Sequence, residues 1–206
     1  MLFNAATLIL LGILCVLTSL KFKANELPWR VIAFYVIGSF IAQGISTIYW
    51  KLGLNNLKIL HVYSLFQFIA FSIFYWSTTK KSVKRQIIYI VSGVVSSVLV
   101  INSIWNESIR DFNSLGIFIS NGTIVVYAVA YFFEVLSADI SAKKYLLINA
   151  GILIFMCESL VVFLFGNLLK EVALIDQAVL WYTHITTYII FLILILWNHA
   201  KLNRIR

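Results

Sequence analysis

Seven stretches of this chain are each long and apolar enough to cross a bilayer as a helix: residues 3–20, 30–50, 58–77, 86–105, 113–134, 145–166 and 176–198. About 20 consecutive apolar residues span the hydrocarbon layer. No water is available there, so every backbone N–H and C=O must be paired within the crossing segment, and the helix does this alone. The sequence therefore predicts an all-α polytopic transmembrane bundle of seven helices. Residues 1–206 form one transmembrane domain, with connections too short for a further domain on either face. Composition excludes the soluble alternative. Charged residues are 12% of the chain and hydrophobic residues 62%, against about 25% charged in soluble domains.

Lys and Arg set the orientation. With the N-terminus outside, the cytoplasmic connections hold Lys21, Lys23, Arg30, Lys80, Lys81, Lys84, Arg85, Lys143, Lys144, Lys201, Arg204 and Arg206, twelve of the 16 basic residues. The outer connections hold Lys51, Lys58, Arg110 and Lys170. Cytoplasmic loops carry the excess of positive charge, so the expected topology is N-out, C-in, with a bacterial inner membrane as the expected location. Trp29, Trp76 and Trp197 fall at the inner ends, and Trp50 and Trp105 at the outer ends. Indole prefers that boundary. Lys21 and Lys23 follow the first stretch and no basic residue precedes it, so it reads as a retained anchor. The net charge of +8 belongs to these loops. No nucleic-acid motif accompanies it. Cys15 and Cys157 lie singly inside apolar stretches and read as packing thiols.

Polar side chains inside hydrocarbon are costly, and ionisable ones are candidates for function. At about 1.5 Å of rise per residue, Glu158 and His184 both lie roughly 12 Å from the outer end of their spans. Gln43, Gln67, Asn121 and the Ser96–Ser97 pair share that level, and His61 sits shallower. These groups are expected to point inward and to form a cavity opening outward. Glu158 is the one carboxylate well inside a span, and His184 is its partner by depth. The pair can bind a small molecule or ion, or carry a proton. It can equally be a packing tie, and Gln43, Gln67 and Asn121 can equally be interhelical hydrogen-bond glue. His61 also fits an interfacial role.

Two segments repeat. Phe40-Ile41-Ala42-Gln43 aligns with Phe155-Met156-Cys157-Glu158. His61-Val62-Tyr63-Ser64, with Phe68, aligns with His184-Ile185-Thr186-Thr187, with Phe191. The alignment predicts a 3+1+3 parallel repeat of residues 1–77 and 113–198, joined by a linker helix over 86–105. Such repeats place a transport site between their halves.

Several seven-helix classes can be compared with these residues. Retinal proteins need a lysine in span seven, and 176–198 has none. Sugar-transporting 3+1+3 proteins resemble this helix count, but proline hinges their spans and the single proline here is Pro28, ahead of span two. Intramembrane metal hydrolases use several histidines. This chain has His61, His184 and His199, and position 188, where a paired histidine would stand, is tyrosine. The run Asn55-Asn56-Leu57 through His61-Val62-Tyr63 to Phe68 resembles small seven-helix membrane proteins of Bacteroidetes bacteria, a resemblance that implies no activity.

The functional expectation is a transporter-like protein with an outward-facing polar cavity, without catalytic residues, metal or cofactor. The alternatives are a ligand sensor working through a separate cytoplasmic partner at the Lys80–Arg85 loop, or a subunit of a membrane complex. An intramembrane hydrolase ranks last.

Overall fold

The computed structural model describes residues 2–19, 26–105, 114–136, 140–164 and 174–204. They form seven α-helices: α1 (Leu2–Ser19), α2 (Leu27–Lys51), α3 (Leu57–Thr78), α4 (Ser82–Trp105), α5 (Ser114–Leu136), α6 (Leu146–Leu164) and α7 (Leu174–Arg204). A 3-10 segment, Ile140–Tyr145, leads into α6, and no strand occurs among the described residues. Helices α2 to α7 are long and apolar enough to cross a membrane. With 18 residues, α1 is shorter, about 27 Å at helical rise. The chain is a multi-pass integral membrane protein.

The helices run past the apolar stretches where polar residues continue them. α4 begins at Ser82 and takes in Lys84 and Arg85, and α7 continues to Arg204. Hydropathy marks where hydrocarbon ends, whereas backbone hydrogen bonding continues into the headgroup layer. Pro28 falls in the first turn of α2, where its missing N–H breaks no helical bond. α2 ends in a Schellman cap. Gly53 has φ +69°, its N–H donates to the Trp50 carbonyl at 3.1 Å, and Leu54 N–H donates to Tyr49 at 2.9 Å.

Six helices close into a ring. α1 packs on α2, α2 on α3, α3 on α5, α5 on α6, α6 on α7, and α7 back on α1. α4 lies outside the ring against α3 and α5. Exchanging α1, α2 and α3 for α5, α6 and α7 maps each of these ring contacts onto another. The interior is aromatic. Tyr35, Phe68, Phe71, Phe74, Tyr75 and Phe191 are fully buried, and the Tyr35 and Phe71 ring centres stand 4.5 Å apart. Tyr75 donates to Asn149 Oδ1 at 2.8 Å, and Asn149 Nδ2 donates to the Ala128 carbonyl at 3.2 Å, which ties α3, α6 and α5. The outer surface carries Val62, Tyr89, Val126, Phe133 and Leu136, each more than half exposed. That much exposed apolar surface would aggregate in water, and here it is the lipid-facing side.

The end of the bundle where α2, α4 and α6 begin is basic and internally tied. Lys84 Nζ lies 3.4 Å from Glu134, whose other oxygen accepts the Lys80 backbone N–H at 3.0 Å. Lys144 pairs with Glu26 at 2.7 Å. Arg85 donates to the Thr79 carbonyl at 2.9 Å and covers the Trp76 ring at 5.1 Å. His199 stacks on Trp29 at 5.1 Å. Of the basic residues that favour an inward position for this end, Lys21, Lys23 and Arg206 lie outside the described residues, as do Arg110 and Lys170 at the other end.

Candidate functional site

At the opposite end, a cavity of about 750 Å³ opens inside the ring. Four helices, α2, α3, α6 and α7, line it with residues at helical spacing. From α2 come Ser39, Gln43, Ser46 and Trp50, and from α3 Leu60, Tyr63, Ser64 and Gln67. α6 supplies Phe155, Ser159 and Phe163, and α7 supplies Trp181, His184 and Tyr188. α5 adds Ile117 and Asn121, and α1 adds Thr7. Asn55 and Asn56 of the α2–α3 turn edge the rim. The turn is held by Asn55 Oδ1, which accepts the Leu57 N–H at 2.8 Å, and by Asn56 Nδ2, which donates to Ser46 at 3.0 Å.

Glu158 and His184 meet. Glu158 Oε2 stands 2.9 Å from His184 Nδ1, with the side chains 14% and 16% exposed. Thr187 Oγ1 lies 3.0 Å from the same carboxyl oxygen. Glu158 Oε1 is buried with no hydrogen bond among the described residues. His184 lines the cavity and Glu158 stands behind it, so the imidazole is the link between the carboxyl and the open space. Three rings hold the imidazole in place. Phe163 meets it edge-on at 5.2 Å, Phe155 is tilted at 5.3 Å and Trp181 is edge-on at 6.1 Å.

The other residues expected from sequence divide. Gln43, Gln67 and Asn121 all line the cavity. Gln67 and Asn121 are also ties: Gln67 Nε2 lies 3.5 Å from Met156 Sδ, and Asn121 Nδ2 donates to Ser159 at 3.0 Å. The Gln43 amide is half-buried and, among the described residues, makes no side-chain hydrogen bond. His61 is turned toward α4, with Nδ1 3.4 Å from Ser103 Oγ, and is not among the residues lining the cavity. Ser97, expected to point inward, is exposed and bonds back to the Gly93 carbonyl at 3.0 Å. α4 lies outside the ring, so its serines share the depth of the cavity without reaching it.

Depth alone did not single out the hydroxyl cluster on the cavity wall. Tyr63 Oη lies 3.0 Å from Ser39 Oγ and 3.1 Å from Tyr35 Oη, and Tyr188 lines the same cavity. Its signal was present as spacing. Tyr188 follows His184 by four residues and Trp181 precedes it by three, which puts all three on one face of α7. Among the described residues no group of three His, Cys, Asp or Glu could hold a metal ion. No family model, curated protein or solved structure matches this chain.

Proposed function

We propose that the chain is a transporter-like membrane protein that takes a small solute into this cavity from the outer face. One observation carries the reading: a cavity of about 750 Å³ inside the helix ring, walled by both halves of the chain and bearing His184 with Glu158 behind it. That volume suits a small metabolite. The exchange of neighbours between α1–α3 and α5–α7 supports a two-repeat body, in which rocking one half against the other would expose the cavity alternately. The excess of Lys and Arg at the far end supports an outward mouth. The Glu158–His184 contact supplies a site at which a proton can be held during that cycle.

The test is solute flux. Purified protein is screened by thermal stability against a metabolite collection, and the solutes that stabilise it are then followed into proteoliposomes. Uptake should appear for at least one solute and fall at least about tenfold in Glu158→Gln if the carboxyl carries the coupled proton. Absence of both stabilisation and uptake across the collection would remove the transport reading.

A further inference from the structure

The cavity wall carries a chemical preference. Among the described residues lining it there is no Lys, Arg, Asp or Glu. The His184 imidazole is engaged by the Glu158 carboxyl at 2.9 Å, and Glu158 is itself not among the lining residues. The rest of the wall is mixed: aliphatic side chains such as Leu60, Ile117 and Ile185, the amides of Gln43, Gln67 and Asn121, the hydroxyl of Tyr63, and the indoles of Trp50 and Trp181. Amides and hydroxyls exchange hydrogen bonds in both directions, and indole faces take flat or C–H-bearing surfaces. An ion moved from water into this space gives up part of its hydration and finds no Lys, Arg, Asp or Glu on the described lining to replace it.

We infer that the cavity admits neutral solutes that combine hydrogen-bonding groups with apolar surface and rejects ions of either sign. This rests on the transporter-like reading and narrows it to a substrate class: uncharged, part polar and part apolar, and small enough for about 750 Å³. The Gln43 amide points to the same class. It lines the space with no side-chain partner among the described residues, so a bound solute would supply its hydrogen bonds.

The inference is tested without knowing the solute. Cys15 and Cys157 are replaced by alanine, and Gln43→Cys is introduced into that background. The protein in liposomes is treated with three methanethiosulfonates of similar size: neutral hydroxyethyl, cationic trimethylammonioethyl and anionic sulfonatoethyl. Each rate is divided by that reagent's rate with a small thiol in solution, and Ser46→Cys, about one turn nearer the mouth, serves where Gln43→Cys does not fold. The neutral reagent is expected to exceed both ions by at least about tenfold at Gln43→Cys. Reaction of either ion within about threefold of the neutral reagent overturns the inference and leaves the cavity reading standing. Failure of all three at both positions overturns the two together, because water then does not reach the cavity.

Discussion

At the residue scale the chemistry concentrates at one contact. Glu158 and His184 come from different helices and meet at 2.9 Å with both side chains mostly buried. Removing the imidazole leaves the carboxyl with the Thr187 hydroxyl, 3.0 Å away, as its hydrogen-bond partner among the described residues, in surroundings that solvate it poorly. His184→Ala should therefore lower stability in detergent by about 1.5–3 kcal/mol, as for hydrogen bonds to a charged group. Adding Glu158→Gln to it should cost less than the sum of the two single changes, because the second change removes a group the first has already stranded. Unfolding of the four proteins of this cycle checks it, and additive losses would mean the contact contributes nothing specific. The Tyr63 hydroxyl bridges Ser39 and Tyr35. Tyr63→Phe keeps the ring that shapes the cavity wall and should lose about 1 kcal/mol, the size of one buried hydrogen bond. Measured stability unchanged in Tyr63→Phe would show that water replaces the hydroxyl there.

At the element scale, close helix approach depends on two glycines. A Cβ on Gly151 of α6 would stand 2.7 Å from Phe191 Cδ2 and 3.2 Å from Leu194 Cδ1 of α7, and Phe191 is fully buried. Gly38 of α2 faces the Phe66 ring of α3 in the same way. Gly44 and Gly122 have open space instead. Gly151→Ala should cost about 1–3 kcal/mol through overpacking, whereas Gly44→Ala should be neutral or gain up to about 1 kcal/mol from helix propensity. Thermal unfolding of the two variants decides it, and equal effects would show that α6 and α7 slide apart at no cost. These approaches were not legible in the sequence, although the helices themselves were. Length and apolarity located each crossing because hydrocarbon demands a helix. Depth placed Glu158 beside His184 because helical rise is fixed. The direction each side chain takes around its helix was harder to read, since lipid and core are both apolar and leave no amphipathic contrast. Part of it was nevertheless available. Six residues separate His61 from Gln67, which sets them about 120° apart around α3, so the two leave that helix in different directions. The peripheral place of α4, which turns Ser97 outward, required the contacts between helices.

At the scale of the whole molecule, charge and cavity lie at opposite ends, so the ring of helices has two unlike ends. The basic end is fixed by Lys84–Glu134 and Lys144–Glu26 pairs and by Arg85 on Trp76. The cavity end has Lys51 and Lys58 among its described residues, and its rim is made of uncharged amides. Translocation of basic segments is disfavoured during insertion, so the nine described Lys and Arg at one end should hold that end in the cytoplasm. A fluorescent protein fused after Arg206 should then fluoresce, and alkaline phosphatase inserted in the α2–α3 turn beside Gly53 should be active, since each reporter matures on only one side. Replacing Lys80, Lys81, Lys84 and Arg85 with alanine should weaken this bias and raise the population with the reverse reporter pattern. If the unaltered chain gave that reverse pattern, the cavity would open to the cytoplasm. The ring, the Glu158–His184 contact and the uncharged wall would be unchanged, but the solute would be loaded from inside, and the reading would become export instead of uptake.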